Sequence, residues 1–368
     1  MDPIGILLLN LGGPWTLADV GPFLRSLFDD REIIPFPGGP RLQTTWSRFL
    51  SAVRTPAVRK RYAAIGGGSP LLYWSRVQAL GLAKRLNAGD SSSLTDAETA
   101  ALRAATASEA GLPAGLGEGR YVPAIAMRYS EPSAGAAIAH LAGRGCRRAI
   151  ALPLYPQECA ATTGSSLADL RRAMARAPRP IELDVVRSYH DHPLYLRAMA
   201  EKVREGLAAF PPEMRREIEV LFSAHGVPIR IAESGDPYVR QVGETVEGLL
   251  RELAGEIGPH RLAWQSRVGP IRWTEPGTEE VLARLGKEGA RGVLVVPLSF
   301  VSDHIETLHE VDIEFREVAE EAGIERFGRS PALNENPVFL EALRDIVLAA
   351  AGRGSEPASG ARSARERA

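Results

Sequence analysis

The sequence predicts an α/β protein made of two similar Rossmann-like halves, each a parallel sheet flanked by helices, facing one another across a cleft. Three observations carry this expectation. Short apolar runs alternate with longer amphipathic stretches, the pattern of β-α units. Motifs from the first part of the chain recur, in order, in the second. A length of 368 residues also exceeds what one hydrophobic core ordinarily fills.

The apolar runs are Ile4 to Leu9, Ala124 to Met127, Ala149 to Leu154, Glu219 to Phe222, Leu262 to Trp264 and Val293 to Leu298. Helical spacing of apolar residues marks Trp74 to Leu86, Tyr195 to Phe210 and Val239 to Ile257. The repeat pairs GILLLNLGGP (5–14) with EVLFSAHGVP (219–228), and GSPLLYWSRVQAL (68–80) with GDPYVRQVGETVEGL (235–249). It also pairs AIAMRYSEP (124–132) with LAWQSRVGP (262–270), and GCRRAIALPLY (145–155) with GARGVLVVPLS (289–299). The expected organisation is a first lobe over 1–180, a second over 181–330, a closing helix within 331–351 and a disordered tail over 352–368. Residues 87–120, rich in Ser, Gly, Ala and acids, read as a loop or a loosely packed helix.

Composition narrows the functional classes. Hydrophobic residues make up 45% and the net charge is −1, so nothing draws the chain to nucleic acid. Cys146 and Cys159 are its only cysteines, too few for a disulfide framework or a four-thiolate site. The start, MDPIGILLLNLGG, carries an acid where a signal peptide carries positive charge. No run approaches the roughly 18 apolar residues of a membrane span, and a cytoplasmic location is the expectation.

In doubly wound folds ligands bind beyond the carboxyl ends of the strands. At those ends the repeat sets Leu11 opposite His225, and Tyr155 opposite the segment FVSDHIETLHEVDIEF (300–315). Plotted as an α-helix, this segment aligns Asp303, Glu306, Glu310 and Glu314 in one stripe, with Val301, Ile305, Leu308, Val311 and Phe315 on an apolar face. Aligned carboxylates repel one another unless a cation or moving protons sit beside them. Asp303 followed by Glu306 is equally a capping box on a solvated helix face. On the same wheel His304 falls on the apolar side and His309 away from the stripe. His225 ends a buried-looking strand and is held by Gly226 and Pro228. Paired with Glu306, it suits a loosely bound divalent transition ion.

The motifs LNLGGP (9–14), IGGGSPL (65–71), MRYSEP (127–132), YPQECAATTGSS (155–166), FSAHGVP (222–228), GDPY (235–238), WQSRVGP (264–270) and SDHIETLHEVDIE (302–314) together resemble the ferrochelatase family, from about residue 4 to 346. The resemblance implies a chelatase-type fold and insertion of Fe(II) into protoporphyrin IX. It implies that His225 and Glu306 form the metal-binding and catalytic pair, with Glu310, Asp303 and more distantly Glu314 as a proton or metal conduit, and His304 as a supporting partner. It places Leu11, Arg128, Tyr129 and Tyr155 along the opposite face of the macrocycle. Arg54, Tyr62, Ser69 and Ser266 match porphyrin-binding positions.

Ala57 departs from a basic residue found in some relatives, which leaves Arg59 or Arg267 to supply propionate contacts. Some ferrochelatases carry a [2Fe-2S] cluster on four cysteines. Here Cys159 is one position from the first slot, occupied by Ala160, and residues 331–368 hold no cysteine, so no cluster and no tightly bound cofactor are expected. Residues 31–62 combine Ile33, Ile34, Phe36, Leu42, Trp46, Phe49 and Leu50 with Arg41, Arg48 and Arg54. They read either as a packed helix with a basic outer face or as an apolar lip that rests transiently on the inner face of an anionic membrane. Three rival functions stay open: coproporphyrin metallation, cobalt or nickel insertion into another tetrapyrrole, and a non-catalytic carrier. Oligomeric state is not encoded in any recognisable pattern.

Overall fold

The computed structural model describes residues 2–352, except 32, 33, 35, 37, 268–270 and the side chain of Arg41. Ile33, Arg41 as a lip cation, the end of WQSRVGP and the tail beyond Gly352 therefore lie outside the described residues. Two sheets form, each of four strands. The first holds β1 (Ile4–Asn10), β2 (Tyr121–Met127), β3 (Arg148–Pro153) and β4 (Glu182–Val185). The second holds β5 (Glu219–His225), β6 (His260–Gln265), β7 (Gly292–Pro297) and β8 (Arg326–Arg329). All pairings are parallel, and the orders β2-β1-β3-β4 and β6-β5-β7-β8 are the same. The six predicted strands are the first three in each sheet order, two central and one edge, and in the central ones residues such as Leu7, Leu8, Val220 and Leu294 are fully buried.

In the first part of the chain the helices are α1 (Val20–Asp29), α2 (Gly39–Ala64), α3 (Leu71–Ala88), α4 (Asp96–Ala104), α5 (Ala134–Gly143), α6 (Ser165–Met174) and α7 (Pro193–Ala208). Later come α8 (Ile229–Glu233), α9 (Tyr238–Glu252), α10 (Thr278–Lys287), α11 (Arg316–Glu321) and α12 (Pro337–Gly352). The largest core cluster joins both lobes, with Ile6 and Leu152 in the same network as Phe222, Tyr195 and Phe339. The closing helix α12 packs on α3 and α7.

Three expectations change. A boundary at 180 cuts off β4, which pairs with β3 in the first sheet, so that lobe extends through Val185. Residues 87–120 are anchored rather than loose. Thr95 and Glu98 cap α4 reciprocally, Leu102 is buried, and the buried Arg76 donates to the carbonyls of Ala105 (3.1 Å) and Thr106. In the repeat, the structural partner of Ser130–Pro132 is Thr274–Pro276, not 268–270. Met127 N–H donates to Pro132 O at 2.8 Å and Trp264 N–H to Pro276 O at 2.9 Å, each closing a strand end just before a helix. The second lobe thus has a longer connection between the end of β6 and α10 than the first lobe has between β2 and α5.

Candidate active site

The site is built where the second sheet reverses its order. β5 lies between β6 and β7, and connections leave its two neighbours in opposite directions, which opens a crevice beyond its carboxyl end. His225 is the last residue of β5. Its N–H donates to Ser299 Oγ (2.9 Å), and its carbonyl accepts from the buried Tyr238 hydroxyl (2.9 Å), so the backbone is held from both sides. Tyr238 belongs to the GDPY motif, whose sequence gave no hint that its hydroxyl supports His225.

From the neighbouring β7 the chain runs through Phe300 into a π-helix, Glu306–Phe315. Glu306 opens it. Its Oε1 lies 3.5 Å from His225 Nε2, an ion-pair distance, and its Oε2 lies 3.2 Å from His304 Nε2. Each imidazole is fixed by its other nitrogen. His225 Nδ1 donates to Gly226 O (2.6 Å) and His304 Nδ1 to Ser302 O (3.1 Å), because a carbonyl can only accept. Both Nε2 atoms therefore face one carboxylate, where each holds either a proton or an incoming ion. The Phe300 ring stands beside both, with centroids 4.2 Å from His304 and 6.1 Å from His225. Among the described residues no group of three or more His, Cys, Asp or Glu side chains is arranged to enclose an ion.

Charge follows from this geometry. Burial works against a charged His225, but the Glu306 carboxylate and the Gly226 carbonyl outweigh it and push its pKa up to about 9. Burial likewise opposes ionisation of Glu306, yet His225 and His304 hold its carboxyl well below the usual range. Glu310 behaves oppositely. Burial and the adjacent Glu306 charge raise it to about 7, despite hydrogen bonds from Ser266. Ser266 N–H donates to Glu310 Oε1 (2.8 Å), Ser266 Oγ and Gln265 Nε2 to Oε2. Ser266 takes a left-handed backbone (φ 63°), unfavourable for a residue with a Cβ, so this grip is bought with local strain.

The acidic stripe is only partly realised. Glu306, Glu310 and Glu314 lie four apart along the π-helix, but Glu314 pairs with Arg61 of α2 (2.7 Å). Asp303 precedes the helix and is occupied elsewhere, by Arg329 (3.0 Å), Thr307 Oγ1 (3.1 Å) and Asn334 Nδ2 (2.8 Å). The expected Asp303–Glu306 capping box does not form, since Glu306 turns to the histidines. The buried line is Thr307, Val311 and Phe315, with Thr307 in place of the expected Leu308. A π-helix closes i→i+5 hydrogen bonds, and its wider turn lines up every fourth residue where an α-helix alternates three and four.

The remaining predicted residues divide. Tyr62 is buried at the end of α2 with Val20, Leu24 and Phe28. Burial, and then the Glu306 charge, raises its hydroxyl above the usual range, so it lies within the field of Glu306. Ser69 packs on the LNLGGP turn, where a Cβ built on Gly13 would stand 2.6 Å from its side chain. Leu11 is half-buried, and its carbonyl accepts from Tyr129 N–H (3.0 Å). Arg54 is exposed on α2.

Arg128 and Tyr129 do not present free polar groups to a cleft. Arg128 Nη2 and Tyr129 OH both reach the buried Asp30 carboxylate (2.6 and 2.7 Å), and Ser165 Oγ donates to the same oxygen (2.7 Å). Tyr155 is buried too, its hydroxyl 3.3 Å from Ser166 Oγ. A buried carboxylate requires donors, and Asp30, unremarkable in sequence, takes these. On the lip, Leu42, Trp46, Phe49 and Val53 form one exposed stripe on α2, with Phe49 58% and Val53 60% exposed. Val53 escaped the sequence reading. Ile34, Phe36 and Leu50 instead pack toward Val20 and Phe28.

A family model described as Ferrochelatase matches residues 3–108 and 92–351. The Ferrochelatase of Geotalea daltonii is 42% identical over 353 residues, covering 96% of this chain and 99% of that relative. That of Synechococcus elongatus is 43% identical, over 94% of this chain and 82% of its own length. That of Gloeobacter violaceus is 43% identical, over 95% and 98%. With a family model across nearly the whole chain and relatives 42% identical over 96% of it, this chain belongs to the ferrochelatase family.

Proposed function

We propose that this chain inserts ferrous iron into protoporphyrin IX, releasing two protons and forming protohaem. The observation that supports it best is the pair of imidazole Nε2 atoms facing the two oxygens of Glu306 at a strand-end crevice, in a chain of this family. Before iron arrives, His225 holds a proton against the Glu306 carboxylate. Arriving iron takes the place of that proton on Nε2 and binds Glu306, an open ligand set that can give the ion up again. As iron passes to the ring, two N–H protons must leave. One returns to His225, restoring the charged pair, and Glu310, titrating near neutrality, carries the other outward. The sum is two protons released per iron inserted.

In this reading the macrocycle lies between the His225 wall and the first lobe, with Leu11, Tyr62 and Ser69 on the facing side. Tyr129, Arg128 and Tyr155 shape that side from behind. The exposed stripe on α2, flanked by Arg48 and Arg54, is the entry lip and makes transient contact with the cytoplasmic face of an anionic membrane. No described helix is long and apolar enough to cross a membrane. Iron is substrate, and no resident cofactor takes part. Both cysteines are buried, and the chain's two thiols fall short of the four a [2Fe-2S] cluster needs.

Parallel anaerobic assays test the proposal, with ferrous iron and either protoporphyrin IX or coproporphyrin III, followed by haem absorbance. Faster turnover of protoporphyrin is expected. Preference for coproporphyrin would reassign the substrate, and porphyrin binding without metallation by either would make the protein a carrier.

A further inference from the structure

The π-helix is costly, because it abandons the α-helical bond pattern for ten residues, and something outside it must hold it there. The residue placed to do so is Arg329, at the end of β8 and outside every motif noted in the sequence. Its Nη1 contacts Asp303 Oδ1 at 3.0 Å, before the helix begins. Its Nε and Nη2 meet Asp312 Oδ1 and Oδ2, both at 2.9 Å, within the helix. The side chain is only 11% exposed, so the guanidinium itself is largely out of water.

The two carboxylates belong to different pieces of chain. Asp303 lies in the lead-in before the helix, and Asp312 lies within it, so one planar guanidinium ties the lead-in to the body of the π-helix.

A second set of bonds fixes the lead-in. Asn334 sits in a left-handed backbone conformation (φ 43°), its Oδ1 accepting from Asp303 N–H (3.0 Å) and its Nδ2 donating to Asp303 Oδ2 (2.8 Å). Its N–H donates to Val301 O (2.9 Å). Gln78 Nε2, from the first lobe, donates to both Asn334 O and Ser302 Oγ at 2.9 Å. Ser302 O in turn fixes His304 Nδ1. The segment between these pins carries His304 and Glu306.

We propose that Arg329 is a positioning residue, which ties the lead-in at Asp303 to the π-helix at Asp312 and so keeps Glu306 and His304 facing His225. The inference rests on the proposed iron insertion for its effect on rate, but its structural half stands apart. The test uses Arg329→Lys, which keeps the charge but loses the planar fork, and Asp312→Asn, which keeps the shape. Arg261→Lys, altering a bridge to Glu219 and Glu288 outside the site, is the matched control.

Both clamp variants are expected to lower the insertion rate at saturating substrates about tenfold or more, since a misplacement of about 1 Å can cost that much. Protoporphyrin affinity should stay within about twofold, as should the control's insertion rate. In the metal-free proteins, the His225 and His304 ring resonances should move in the clamp variants while those of His260 do not. Unchanged ring resonances in folded Arg329→Lys and Asp312→Asn would overturn the proposal, as would a wild-type insertion rate. A wild-type protein that inserts no iron would defeat the functional reading instead, and the ring resonances would then decide the clamp alone.

Discussion

His225 Nε2 stands 3.5 Å from Glu306 Oε1, while His304 Nε2 stands 3.2 Å from Oε2 of the same carboxylate. One negative charge therefore serves two imidazoles, and neither ring can turn away, because each Nδ1 is spent on a backbone carbonyl. Removing that charge should release both. Glu306→Gln is expected to cut insertion about a hundredfold or more at saturating porphyrin. The His225 ring should then titrate well below about 9, which histidine NMR reads directly. An unchanged titration would mean that Glu306 does not hold the His225 proton.

Glu310 gives a pH-dependent outcome. Its carboxyl is raised from 4.5 to about 7, so between those pH values the folded protein binds more protons than the unfolded chain. Stability from this group therefore falls as pH rises through that window, and its full cost is present above about 7. Glu310→Gln should be more stable than wild type at pH 8, by on the order of 1–2 kcal/mol, with the gap closing at low pH. Denaturant melts at pH 8 and pH 5 check this. Wild-type insertion is expected to speed up as pH climbs through about 7, and the same variant should lose that rise.

The stripe on α2 should act at a membrane and contribute nothing to folding. Phe49→Ser with Val53→Ser is expected to leave the unfolding free energy within about 0.5 kcal/mol of wild type, because both side chains are exposed. Binding to phosphatidylserine-containing vesicles should weaken about tenfold or more. Equal cosedimentation of variant and wild type would reduce the stripe to ordinary surface.

The central strands were legible because burial on both faces leaves nearly continuous apolar runs, as in IGILLLN. The edge strands β2 and β6 also carried apolar residues, but the short, half-buried β4 and β8 were missed, since sequences such as RFGR have no such run. His225 and Glu306 could be paired from their places in the repeat. The line of acids beyond them was legible only in part: Glu306, Glu310 and Glu314 do line up, but the wheel took in Asp303, which lies before the helix, and put Leu308 rather than Thr307 on the buried side. Nor does MRYSEP reveal that its Arg128 and Tyr129 are claimed by Asp30, roughly a hundred residues earlier. Long-range polar partners leave no periodic trace.

The most direct test of the site is single-turnover ferrous insertion by His225→Ala already saturated with protoporphyrin IX, alongside a fluorescence titration of porphyrin binding. Porphyrin should bind with wild-type affinity while the insertion rate falls about a hundredfold or more. Insertion at the wild-type rate by that variant would contradict the assignment of His225 as the residue that receives iron and exchanges protons with the ring.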